Sequence, residues 1–208
     1  MFIIHSICER IVWIVTFFIT RVFGSFKAIG KENLKNIPTP LMIISNHVSF
    51  LDPMTIGTLF PFFSKYLPIT FMAADEFFRN PFLRAFFWLT NTLPANKGKG
   101  IDVSLKKPRE ILKSGGVFLT FPQGKRYLGG EPPKPRRGPA FLALEMPELT
   151  ILPVFIEMSR GWGIIKILLR KKKITLKVGK PFKLAEVSQS NDPTEVAQNL
   201  ADEIFKLK

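Results

Sequence analysis

The chain has 208 residues, 46% of them hydrophobic, and its 30 Lys plus Arg against 16 Asp plus Glu leave a net charge of +14. That length suits one domain with a sizeable core, and so high an apolar share excludes a disordered basic tail. A single cysteine, Cys8, excludes an internal disulfide framework and any multi-cysteine metal site, and it points to a reducing compartment. The charge asks for an anionic partner: nucleic acid, an acidic lipid surface or a phosphorylated substrate.

Residues 1–24 carry the first pattern. Ile3, Ile4, Ile7, Ile11, Ile14, Val15, Phe18 and Val22 recur at three- and four-residue intervals, with His5, Glu9, Thr16 and Thr20 on the opposite side, which predicts an amphipathic helix. The charge-free stretch between Arg10 and Arg21 is half of the about 20 apolar residues that a bilayer crossing needs. No small-x-small site follows it, so a cleaved signal peptide fits poorly. The pattern predicts a helix lying in the membrane interface, apolar face down, with Arg10 and Arg21 reaching lipid headgroups. A helix packed on the protein core would show the same periodicity.

Beyond it, short apolar runs alternate with helical patterns. Strands are predicted at Leu41–Ser45, Ile69–Ala73, Val117–Phe121, Thr150–Glu157 and Ile174–Val178. Helices are predicted at Pro53–Phe60, Glu76–Thr90 with a break at Pro81, Ile101–Ser114 closed by Gly115-Gly116, and Gly138–Met146; a last one starts at Asp192-Pro193. This alternation predicts an α/β fold: a mixed, largely parallel sheet flanked by helices, over residues 25–208.

The sharpest local signal is Ser45-Asn46-His47-Val48-Ser49-Phe50-Leu51-Asp52-Pro53, where a buried strand gives way to a helix. Within one helix His47 and Asp52 would stand about 140° apart; on a turn leading into a helix they can meet. The chemistry on offer is a dyad in which His47 takes a hydroxyl proton and Asp52 holds the imidazole tautomer. The competing reading makes Asp-Pro an ordinary helix start. No third ligand stands near the pair, so no metal is expected. A second signal, Phe121-Pro122-Gln123-Gly124-Lys125-Arg126, is a strand running into a turn that carries two cations, suited to phosphate. Lys134, Arg136 and Arg137 extend the positive surface ahead of the next helix, as Arg170-Lys171-Lys172-Lys173 does later in the chain. Nucleic acid is not expected as the partner, because no recognition-fold motif accompanies the charge.

In order and spacing, Asn46-His47-x4-Asp52, Phe121-Pro122-x-Gly124-x-Arg126, Arg137-Gly138 and Leu152-Pro153-Val154 resemble the glycerophospholipid acyltransferase family, the PlsC-like 1-acylglycerol-3-phosphate acyltransferases. The resemblance covers roughly residues 25–185. It implies a membrane-associated enzyme at the cytoplasmic face, moving an acyl group from an acyl thioester (acyl-CoA or acyl-carrier protein) to the hydroxyl of lysophosphatidate, chemistry that needs no cofactor. It also implies His47 as base with Asp52 as its partner, and Gln123, Gly124, Lys125 and Arg126 as the acceptor-binding turn. Lys97 would stand at a second phosphate contact, and Pro153 on the acyl-donor side. Gln123 and Lys125 replace the family's usual Glu and Thr, which keeps open another lysophospholipid or glycerol-bearing acceptor, or a non-catalytic lipid-binding relative. The crowd of phenylalanines between Phe60 and Phe87 suits either an apolar groove for a fatty tail or core packing.

Overall fold

The computed structural model describes residues 2–23, 25–126, 133–158 and 173–208, with 2–6, 9, 23 and 158 described as backbone. A seven-stranded sheet forms the centre: β1 (Ser25–Ile29), β2 (Leu41–Ser45), β3 (Ile69–Ala73), β4 (Thr92–Pro94), β5 (Val117–Thr120), β6 (Thr150–Met158) and β7 (Lys173–Val178), in the order β1-β7-β6-β2-β5-β3-β4. The five strands from β6 to β4 run parallel; β7 is antiparallel to β6, and β1 is parallel to β7. The sheet is therefore mixed and mostly parallel, as the alternation of elements predicts.

Helices cover both faces. α1 (Phe2–Phe18), α2 (Asp52–Gly57) and α3 (Pro81–Leu89) lie on one; α4 (Ile101–Lys113), α5 (Gly138–Glu145) and α6 (Pro193–Phe205) lie on the other. Every residue of β2 is buried, Leu41 and Ile43 facing the first helix layer and Met42 and Ile44 the second, so its unbroken apolar run is what a doubly covered strand requires. α4 ends where Gly115 turns left-handed at φ 78°, and Gly116 N–H returns to the Ile111 carbonyl. Of the basic run at 170–173, only Lys173, which opens β7, is among the described residues.

α1 and the π-helical turn that follows it (Ile19–Phe23) are seated opposite to expectation in one respect: Arg10 on the helix and Arg21 on the turn point into the protein. Arg10 Nε donates to the Phe62 carbonyl, and Arg21 donates to the hydroxyl and carbonyl of Thr58 while lying between the rings of Phe17 and Phe26. Burial lowers the pKa of Arg21 from its ordinary value. Trp13 Nε1 donates to the Gly57 and Phe60 carbonyls, and Thr16 and Thr20 are buried. The carbonyls of Gly57, Thr58, Phe60 and Phe62, at and beyond the end of α2, take these donors, as buried C=O groups require.

Two contacts lock the layers. Gly30 passes over the end of β7 at φ 78°, where a Cβ would stand 2.1 Å from the Val178 carbonyl oxygen. Gly30→Ala is expected to cost about 3 kcal/mol by combining left-handed strain with overpacking, read as a fall in the midpoint of denaturant unfolding. Arg109 on α4 grips Glu145 on α5 through Nε and Nη2 at 2.6 and 2.7 Å, and this hydrogen bond, ahead of the opposing cost of burial, lowers the Glu145 pKa. A depressed carboxylate stabilises the fold above its unfolded pKa and loses that effect as pH falls through the folded value. Glu145→Gln should therefore cost about 0.5 kcal/mol near neutrality, a magnitude already reduced for solvent screening, and nothing in acid, measured by unfolding at both pH values.

Candidate active site

Because β6, β2, β5, β3 and β4 are parallel, the segments that leave their carboxyl ends meet at one edge of the sheet. His47 follows β2, Gln123 follows β5, and Asp75 follows β3. Asn46 secures the β2 exit: its Nδ2 donates to the Ile156 carbonyl at 2.9 Å, and its Oδ1 accepts the Ile156 N–H at 2.6 Å.

His47 Nδ1 stands 2.7 Å from Asp52 Oδ2, and the same oxygen accepts N–H bonds from Val48 at 2.7 Å and Ser49 at 2.8 Å. Asp52 is 0% exposed, yet it is not the N-cap of α2: that position belongs to Leu51, and no side chain caps the helix. The helix does start at Asp52-Pro53, with the proline in its first turn, but the Asp52 carboxylate closes the His47 loop instead of capping the helix. A carboxylate only accepts, so Nδ1 carries the proton it shares with Asp52, which leaves Nε2 as the ring nitrogen with the free lone pair, on a side chain 21% exposed. The ring lies flat on Phe121, centroids 4.2 Å apart and planes at 22°.

Gln123 is buried, and its Oε1 accepts the His47 backbone N–H at 2.8 Å. Gly124 turns left-handed at φ 64°, with its N–H bonded to the Phe121 carbonyl. A Cβ there would stand 2.8 Å from Arg136 Cγ and 2.9 Å from its Nε, so glycine both makes the turn and lets Arg136 lie across it. Arg136 N–H also bonds the Pro122 carbonyl, and a cleft of about 380 Å³ opens here, lined by Gln123, Lys125, Lys134, Arg136, Arg137 and two prolines. Its described lining holds four cations and no carboxylate, an arrangement suited to a phosphate group.

The expected site residues divide. His47, Asp52, Gln123, Gly124 and Lys125 come together, and Arg126 is exposed one residue beyond Lys125. Lys97 leaves β4 at the same edge but three strands from β2, about 14 Å at ordinary strand spacing, with its backbone N–H held by Asp75 Oδ2. Pro153 is paired with Ile44 inside the sheet and buried, its ring close against Gly179, so the structure does not bring it to the edge. Arg136 joins the cleft although the sequence places it only on a general positive surface; the Arg-Arg-Gly-Pro run ahead of a helix is the signal that marks it. Toward α3, Phe50 from the His47 loop meets Phe77 at 5.9 Å and buried Phe87 at 6.1 Å, leaving Phe50 and Phe77 partly exposed. The edge thus has an aromatic side and a cationic side, with His47 between them.

Known proteins supply the frame for this geometry. A 1-acyl-sn-glycerol-3-phosphate acyltransferase of Bacillus subtilis is 28% identical over 164 residues, covering 78% of this chain and 76% of the relative. One from Saccharomyces cerevisiae is 28% identical over 158 residues, covering 68% of this chain and 50% of the relative. The crystal structure of the 1-acyl-sn-glycerophosphate acyltransferase PlsC from Thermotoga maritima shares the fold, with a TM-score of 0.62 at 18% identity, covering 100% of this chain and 98% of that one. The sequence pattern of the family named Acyltransferase matches residues 26–157, and with well over half of its length inside that match the chain belongs to the Acyltransferase family.

Proposed function

We propose that this acyltransferase moves a fatty acyl group from an acyl thioester to the free hydroxyl of 1-acylglycerol-3-phosphate, giving phosphatidate. The observation that carries the reading is the His47–Asp52 pair standing beside a cationic cleft at the carboxyl edge of the sheet. The acceptor phosphate lies among Lys125, Arg136 and Arg137, within reach of Arg126, with Gly124 keeping the turn open. His47 Nε2 takes the proton as the acceptor oxygen attacks the thioester carbonyl. When the tetrahedral intermediate collapses, the C–S bond breaks and the imidazolium returns the proton to the departing sulfur. Asp52 stabilises that imidazolium and keeps the ring in one tautomer. The thioester is already activated, so the protein's task is to orient two substrates and manage one proton. The hydrocarbon chain of the donor, acyl-CoA or acyl-carrier protein, runs over Phe50 and Phe77, away from the cations.

Residues 1–24 serve as the membrane-contact element of the acyltransferase domain at 25–208, at the cytoplasmic face. No helix among the described residues is long and apolar enough to cross a membrane. Ile7, Ile11, Ile14, Val15 and Phe18 on the outer side of α1, and Val22 on the turn that follows it, are exposed. Phe63 is 88% exposed and packs on Phe62, which touches Trp13 of α1. An apolar strip backed by a net charge of +14 suits an anionic lipid surface.

His47→Ala is expected to lower kcat by about 10²–10⁴-fold in a radiolabelled transfer assay, and Asp52→Asn to lower it comparably; undiminished turnover in either variant rejects the dyad. Because Lys97 stands outside the cleft, the assay includes other lysolipids beside lysophosphatidate. Preference for one of them would move the acceptor assignment and leave the reaction in place. Ile11→Glu with Val15→Glu should weaken binding to anionic vesicles by about 10-fold or more while leaving the unfolding temperature unchanged. These charges test the outer face better than truncation, which would also remove Trp13 from the core.

A further inference from the structure

The turn after β5 holds His47 in two places. Phe121 supports the imidazole from below, and Gln123 Oε1 takes the backbone N–H of the same residue across 76 positions of sequence. Gln123 is only 5% exposed, and its Nε2 is buried with no hydrogen-bond partner among the described residues. Although Gln123 lines the cleft wall, its Nε2 is buried away from it and its Oε1 is already engaged by the His47 N–H, the one described bond of the carboxamide. The next two residues of the turn, Gly124 and Lys125, face the cationic cleft, where Arg136 is pressed against Gly124. An anion drawn in by Lys125 and Arg136 therefore pulls on the segment that orients the imidazole.

We propose that Gln123 is a positioning residue for His47, not an acceptor ligand, and that through it occupancy of the cleft is transmitted to the pose of the base. This rests on His47 being the base. Only an acceptor oxygen at Oε1 is required, so a carboxylate at this point serves as well as the carboxamide. Gln123→Met removes both hydrogen-bonding atoms at similar length; Gln123→Glu keeps the accepting oxygen.

Gln123→Met is expected to lower kcat by about 10–100-fold, with the lysophosphatidate KM held within about 2-fold. Gln123→Glu should keep kcat within about 3-fold of the starting protein. A raised KM in either variant with kcat preserved would make Gln123 a ligand and overturn the proposal. Thermal unfolding establishes that both variants fold. A second readout needs no turnover: the chain has two histidines, His5 and His47, so imidazole resonances can be assigned by His5→Gln. Inorganic phosphate at saturation should shift the His47 signals in the unsubstituted protein and in Gln123→Glu but not in Gln123→Met, with phosphate affinity by calorimetry equal in the unsubstituted protein and Gln123→Met. No shift in the unsubstituted protein, or an undiminished shift in Gln123→Met, would overturn the coupling. If His47→Ala retained activity, the reading of His47 as base would fall instead, and this phosphate-linked shift would still be measurable.

Discussion

A fully buried carboxylate organises the site. Asp52 has no exposed surface, and a charge in that position is tolerated only when hydrogen bonds replace its water. One oxygen collects the N–H groups of Val48 and Ser49 and faces the imidazole of His47, so the loop from β2 to α2 has to wrap around it. The wrapping sets the direction of the ring before any substrate arrives. The other oxygen, Oδ1, is buried without a partner among the described residues, so the pairing is concentrated on the atom that meets the histidine. Asn46 fixes the root of the loop by trading both amide bonds with Ile156, and the platform of Phe121 completes the confinement.

Parallel strands give this loop its neighbours. Five strand ends open at one edge, and the two helix layers make the sides of that edge chemically different. Toward α3 stand the rings of Phe50 and Phe77; toward α5 stand Lys134, Arg136 and Arg137. In the proposed reaction both substrates combine hydrocarbon with anionic groups, and a base placed where greasy and cationic walls meet is suited to joining them. The Arg109–Glu145 grip ties α4 to the last residue of α5, the helix whose first turn follows the cleft arginines.

α1 follows the logic of unsatisfied carbonyls. The helix presents its indole, guanidinium and hydroxyl groups to the protein, where the Gly57, Thr58, Phe60 and Phe62 carbonyls accept from Trp13, Arg21 and Arg10, and leaves its aliphatic side outward. The inward face gains hydrogen bonds and core packing, while the outward aliphatic side is left uncovered, the feature on which the proposed lipid contact rests.

The sequence by itself determined the centre of this molecule. β2, β3, β5 and β6 are short apolar runs closed by turn residues and covered on both faces, so composition alone marks them, and the His47–Asp52 pairing is legible because a five-residue turn is local. β1 and β4 are not legible: both lie at sheet edges, one alternates between exposed and half-buried and the other has three residues, so neither carries a strong apolar signal. Tertiary structure decided everything that joins distant segments. It brought Gln123 to the His47 backbone and Arg136 to Gly124, kept Pro153 inside the sheet, and turned Arg10 and Arg21 toward carbonyls instead of solvent. Periodicity states which faces of an element differ, but only packing decides which face meets which partner, because that choice depends on donors and acceptors contributed from elsewhere in the chain.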